Sequence, residues 1–170
     1  QKESKIDKPR LLYVGRMSPE KGIFNFLAMF ENIKFNANFS IVGNLENQKI
    51  SNKNVKLLGY IADTKSLINV YDEHNIMILP SYTEATPYVV DESLSRKRPV
   101  IIFEEISYIV RNKIGIFVSK RDIHSLSKTI KYVMDNYIEI QKNMEKNILP
   151  TKKDMIKQIS DIIEIQTSKK

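Results

Sequence analysis

The chain predicts an α/β fold, a doubly wound and mainly parallel six-stranded sheet with helices on both faces. Three observations predict it. Short apolar runs that end in glycine or proline alternate with longer stretches of helical period along nearly the whole chain. Three of the five glycines, Gly15, Gly43 and Gly59, each close one of those runs, as a strand turning sharply into a loop requires. Residues 76–103 read as a complete strand, loop, helix, strand unit, which joins parallel neighbours by a right-handed crossover.

Residues 10–14 form an apolar run ending at Gly15, a buried first strand. Ser18 and Pro19 then suit an N-cap and a first helical position, which predicts a helix over residues 19–33 with Phe24, Leu27, Met29 and Phe30 inward. Residues 39–42 read as the second strand, 44–54 as a polar surface loop and 55–58 as the third strand. Residues 64–73 look helical, with Leu67, Ile68 and Tyr71 sharing a face. Residues 76–79 are the fourth strand, cut off by Pro80 and Ser81. Thr86 is a good N-cap and Pro87 fits the first helical position, where its missing N–H has no intrahelical partner anyway. The fifth strand follows Pro99 at residues 100–103. A short helix is expected over residues 106–112 and the sixth strand over 115–118. Asp122 starts a helix running to about residue 136, with Ile123, Leu126, Ile130 and Val133 at period 3.6. Residues 137–148 continue it past a kink, Pro150 breaks the chain, and residues 152–165 form a last amphipathic helix with Met155, Ile159, Ile162 and Ile163 inward.

A chain of 170 residues that is 42% hydrophobic fits one domain with a real core. It has no cysteine, which excludes disulfides and thiolate metal sites, and no apolar run long enough to span a bilayer, so a soluble domain is expected. The net charge of +7 comes from lysines scattered among acids, without an aromatic-basic recognition motif, and argues for a solvated surface rather than a nucleic-acid partner. Basic spots at Arg96-Lys97-Arg98 and Lys120-Arg121 leave open peripheral contact with an anionic membrane face. The polar start QKESKIDKP, without methionine, reads as a segment of a longer chain, so residues 1–9 are expected to be a linker, 10–150 the α/β domain and 151–170 a helix and tail. His74 and His124 read as surface or capping residues.

The chemistry should gather at the carboxyl edge of the sheet, where open α/β sheets bind ligands. Gly15 and Arg16 end the first strand, and Lys21 stands about one turn into the next helix. Glu84 sits in the loop before the Thr86 helix and Glu92 about a turn and a half into it. Two cations and the open amino end of a helix on one crevice suit a diphosphate, since guanidinium offers a fork and ammonium a point charge.

Four motifs then stand in order: Gly15-Arg16-x-x-x-Glu20-Lys21-Gly22, Leu58-Gly59-Tyr60, Pro80-Ser81-x-x-Glu84-x7-Glu92 and Pro99-Val100-Ile101. In order and spacing they resemble the carboxyl-terminal, Rossmann-like domain of GT-B-fold retaining glycosyltransferases, the large family four (glycosyl transferases group 1). The resemblance implies one half of a GT-B fold that binds a nucleotide-diphosphate sugar, UDP- or GDP-linked, and passes the sugar to an acceptor hydroxyl with retention of configuration. The acceptor, a glycan or lipid-linked glycan of bacterial polysaccharide biosynthesis, would be held by a separate amino-terminal domain in the cytoplasm or at the inner membrane face. It implies Glu84, Arg16 and Lys21 as the catalytic set. Arg16 and Lys21 would clamp and stabilise the leaving diphosphate, and Glu84 would hydrogen-bond the sugar and support its oxocarbenium-like transition state. Glu92 would hold the ribose, the backbone N–H groups of Tyr88 and Val89 would meet the distal phosphate, and Tyr60 and Ile61 would lie against the base. Gly15, Ala85 and Thr86 complete the donor contacts. No cofactor or metal is implied, and the absence of any Asp-x-Asp pair agrees with cations doing a metal's work. Ala85 stands where the family usually has glycine, Lys97 where it commonly has glycine, and residues 104–108 lack the usual Gly-Gly pair and following acid. A sugar-nucleotide epimerase of the same fold, or a non-catalytic module that keeps the fold, are the alternative readings.

Overall fold

Six strands form one sheet: β1 (Arg10–Val14), β2 (Asn38–Val42), β3 (Val55–Gly59), β4 (Ile76–Leu79), β5 (Val100–Phe103) and β6 (Ile116–Ser119). The structure is a computed structural model describing residues 8–44, 50–151, 153, 154 and 160. The expected linker before residue 8 and nearly all of the expected helix over 152–165 lie outside the described residues. Every strand pairing is parallel, and the order is β3-β2-β1-β4-β5-β6. That order reverses direction between β1 and β4, so the loops leaving those two strands part to opposite faces and open a crevice at the carboxyl edge.

Burial explains the order. The runs IMIL of β4 and VIIF of β5 are buried at every position, as central strands covered on both faces must be. β3 is exposed or half-buried at every position and β2 opens on exposed Asn38, and these strands lie toward the edge. On one face Phe26 and Phe30 of α1 (Ile23–Glu31) pack on Phe39 of β2 with ring centroids 4.9 and 5.4 Å apart. Each such buried side chain contributes about 1.5–3 kcal/mol. α1 therefore buries Ile23, Phe26, Met29 and Phe30, while Phe24 faces outward, a correction to the expected inward set.

The remaining helices are α2 (Thr64–Glu73), α3 (Tyr88–Ser95), α4 (Ile123–Asp135) and α5 (Tyr137–Met144). α2 and α4 start where expected because Asp63 and Asp122 cap them, each carboxylate accepting a backbone N–H, from Ser66 and Ser125 respectively. Leu126, Ile130 and Val133 of α4 are fully buried, whereas Ile123 is half-exposed in the first turn. Residues 104–109 form a 3-10 segment, earlier and tighter than the helix expected over 106–112.

The Arg96-Lys97-Arg98 spot is spent within the protein. Arg96 pairs with Asp72 and Lys97 with Glu145, both at 2.5 Å, and Arg98 donates to the carbonyls of Tyr71 and Asp72. Among the described residues no helix is long and apolar enough to cross a membrane.

His74 occupies the C-cap position of α2 but is buried rather than on the surface, and its Nδ1–H donates to Val70 O at 2.6 Å. Burial pulls its pKa below the ordinary 6.5, against the Val70 bond and Glu73, which raise it, and with help from Arg10 and Lys56. The unfolded chain therefore takes up this proton first, and the His74 contribution to stability is lost as pH falls through 6.5. We expect the urea midpoint to drop between pH 7.5 and 5.5 by less in His74→Gln than in the parent chain. An unchanged difference between the two would refute the assignment.

Candidate active site

The loop after β1 is built to reach the loop after β4. Tyr13 OH donates to Arg16 O at 2.5 Å and fixes the backbone as it leaves β1. Burial first, then the charges of Glu84 and Glu20, raise the Tyr13 pKa, so the phenol keeps the proton it donates. The single helix expected over residues 19–33 is divided. Pro19–Lys21 is a 3-10 turn closed by Gly22 N–H on Pro19 O at 2.9 Å, and α1 begins only after Gly22, which adopts a left-handed φ of 66°. Ser18 does not cap it, because its Oγ donates to Glu20 Oε1 instead. Lys21 is thus the last residue of a tight turn held against the β4 loop. Tyr82 N–H donates to Glu20 O at 3.0 Å, and the Gly22 backbone lies on Pro80 O so closely that a Cβ there would come within 2.0 Å of that oxygen. Gly22 thus makes room for a loop rather than for a ligand.

Across this seam Lys21 Nζ donates to Glu84 Oε1 at 2.7 Å, and Ser81 Oγ donates to the same oxygen at 2.6 Å. The Glu84 side chain is only 8% exposed and that of Lys21 22%, so the pair is shielded from water while the ammonium keeps donors for a ligand. Glu84 Oε2 takes no bond from the described residues.

Two side chains without a role in the sequence reading hold the loop. Tyr108 OH accepts from Glu84 N–H at 3.0 Å and donates to Glu84 O at 2.5 Å. Arg121, at the start of the β6–α4 connection, donates to Pro80 O and Ser81 O at 2.9 and 3.3 Å and pairs with Glu105 at 2.7 Å. Its guanidinium also lies over the Tyr82 and Phe103 rings, 4.1 and 4.3 Å from their centroids. The Arg121 hydrogen bond holds the Glu105 carboxyl below its ordinary range. The partners of Tyr108 and Arg121 lie 24 and about 40 residues away, and no local pattern announces them.

At the front of α3, Pro87 has an extended ψ of 93° and takes the N-cap position itself, so the first helical residue is Tyr88. Thr86 is one residue too early to cap the helix, and no side chain caps it. The N–H groups of Tyr88 and Val89 thus stand open, with the positive end of the helix dipole behind them. Asp91 in that first turn would repel an anion, but Lys113 Nζ lies 2.5 Å from its Oδ1 and offsets the charge. A hollow opens here between Ala85, Thr86 and Pro87 on one side and Ile109, Arg111 and Lys113 on the other. Arg16 and Lys21 do not line it; they stand on the β1 side of the loop.

The remaining expected residues stand on neighbouring elements. Arg16 is 78% exposed and 3.8 Å from Glu20. Glu92 lies on the α2 side of α3, where Tyr71 OH donates to its Oε2 at 2.8 Å. Burial, then the Glu92 charge, raises the Tyr71 pKa, so Tyr71 serves as a fixed donor. Tyr60 projects from the end of β3 at 77% exposure, with Ile61 half-buried beside it. Among the described residues no three His, Cys, Asp or Glu side chains gather to hold a metal ion.

An all-parallel doubly wound sheet whose switch-point loops meet through a shielded ion pair defines a Rossmann-like domain of the kind that makes up one half of a GT-B fold. The chain belongs to the family of glycosyl transferases group 1, whose profile matches residues 1–149. It is similar in structure to sucrose-phosphate synthase of Thermosynechococcus elongatus, with a TM-score of 0.78 and 19% identity over 96% of this chain and 47% of that one. It is also similar to HepE of Anabaena in complex with UDP and glucose, with a TM-score of 0.70 and 17% identity over 94% of this chain and 48% of that one. HepE has also been solved with UDP-glucose. The chain spans about half the length of these structures. No curated protein matches it significantly in sequence.

Proposed function

We infer that this chain is the donor-binding half of a retaining glycosyltransferase that uses a nucleotide-diphosphate sugar and needs no metal. The observation that carries the reading is the Lys21–Glu84 pair at 2.7 Å, joining the two loops of the switch point beside the uncapped front of α3. In the transfer, the bond from the anomeric carbon to the diphosphate oxygen breaks and a bond to the acceptor oxygen forms on the same face of the sugar. The acceptor's hydroxyl proton passes to the departing diphosphate oxygen. Negative charge collects on the leaving diphosphate, where the remaining Lys21 donors, the Arg16 guanidinium and the Tyr88 and Val89 N–H groups would receive it. Glu84 faces the sugar through Oε2, Glu92 takes the ribose with its position fixed by Tyr71, and exposed Tyr60 with Ile61 offers a surface to the base. Ala85 and Thr86 would meet the donor from the hollow in front of α3, and Gly15 from the end of β1.

Residues 10–150 would be the donor domain, joined through the preceding segment to an acceptor domain; spanning about half of its structural neighbours supports that division. The UDP and UDP-glucose held by HepE support a nucleotide-sugar donor. Titration calorimetry with UDP, GDP and ADP tests the reading. One of the three is expected to bind the folded chain with released heat, and silence from all of them would remove the reading.

A further inference from the structure

We propose that Tyr108 is a positioning residue for Glu84, setting the height at which that carboxylate meets the donor's sugar; this rests on the donor-site reading above. The segment between β4 and α3 is anchored early, by Arg121 on Pro80 and Ser81 and by Glu20 O on Tyr82 N–H. Beyond Tyr82 the anchors are few. Among the described residues the backbone of residues 83–86 receives hydrogen bonds from one source only, the Tyr108 hydroxyl, which accepts from Glu84 N–H and donates to Glu84 O. A hydroxyl that both accepts from the N–H and donates to the C=O of one residue holds the two peptide groups flanking it, which a single bond does not do. Lys21 and Ser81 fix the far end, and both fall on Oε1. Tethered at backbone and at one oxygen, Glu84 has its second oxygen presented in one place. Misplacing a sugar-binding group by an ångström costs transition-state stabilisation without weakening contacts to the nucleotide.

Tyr108 comes from the 3-10 segment after β5, so the tether also couples the β5 loop to the β4 loop. Tyr108 as a whole stays 56% exposed although its hydroxyl makes both bonds. Core packing therefore does not explain why a tyrosine stands here.

The test compares Tyr108→Phe with the parent 170-residue chain in calorimetric titrations of matched pairs, UDP against UDP-glucose and GDP against GDP-mannose. Phenylalanine keeps the ring and removes only the bridge. The parent should bind the sugar nucleotide more tightly than the bare nucleotide in one pair. The variant should lose about tenfold of that sugar-dependent gain while its affinity for the nucleotide alone changes less than about twofold. Equal losses for both ligands would mean a merely structural role, and no loss would mean the bridge is idle; either overturns the proposal. A parent chain that binds nucleotide but gains nothing from any sugar would remove the Glu84 role itself, and the proposal with it. A parent that binds no nucleotide removes the donor-site reading, so the two failures are distinguishable.

Discussion

Replacing Gly22 by alanine is expected to destabilise the domain by about 3–5 kcal/mol, lowering the thermal midpoint by about 10 °C. Two effects add. At φ 66° a side chain is strained, which costs about 1–3 kcal/mol. The new Cβ would also sit 2.0 Å from Pro80 O, and since that contact is with backbone no rotamer change relieves it. The β4 loop must then retreat from the β1 loop. The Tyr82 N–H to Glu20 O bond at 3.0 Å and the Lys21–Glu84 pair at 2.7 Å lie on the same seam and should weaken together. Nucleotide binding should therefore fall by more than the loss of folded protein accounts for, read by titration at a temperature where the variant remains folded. A variant within about 1 kcal/mol of the parent would show that the seam gives way easily and does not define the site.

Replacing Lys21 by alanine is expected to reduce nucleotide-diphosphate affinity about 10- to 100-fold, the effect of removing one charge-assisted contact to phosphate. The same change strips Glu84 of its ion-pair partner and leaves only Ser81 on Oε1. Since the two side chains are 22% and 8% exposed, the loss of stability should fall between that of a surface pair and that of a buried one, about 1–3 kcal/mol. The companion Glu84→Gln keeps shape and removes charge. If the pair is coupled, Lys21→Ala made in the Glu84→Gln background should cost less stability than in the parent, while the phosphate-binding loss persists. Unchanged affinity for UDP, GDP and ADP after Lys21→Ala would place the diphosphate elsewhere. The hollow beside Arg111 and Lys113 would then be the place to look.

Several elements were legible before any coordinates because their cause is local. The apolar runs of β4 and β5 leave no solvent face to choose, and Asp122 with an apolar period of 3.6 determines where α4 begins. Gly15, Gly43 and Gly59 end strands that do end there or one residue earlier. Local reasoning misplaced both proline-led helix starts for one reason. Pro19 and Pro87 satisfy the rule for a first helical position, but Pro19 opens a 3-10 turn and Pro87 is held extended at ψ 93°. The choice among these conformations depends on where the neighbouring loop lies. Nothing local announces why Gly22 is glycine, because the atom that excludes a side chain there is Pro80 O, 58 positions along the chain.

By itself the sequence determined the alternation of strands and helices, the parallel sheet and the family, because periodicity, turn residues and ordered motifs are written along the chain. Only the tertiary structure decided that Lys21 and Ser81 share one oxygen of Glu84, that Tyr108 and Arg121 hold the loop bearing Ser81 and Glu84, and that α3 opens without a cap. Those contacts join residues brought together by the reversal of strand order at β1 and β4, and a hydrogen bond between distant residues leaves no periodic trace in the sequence.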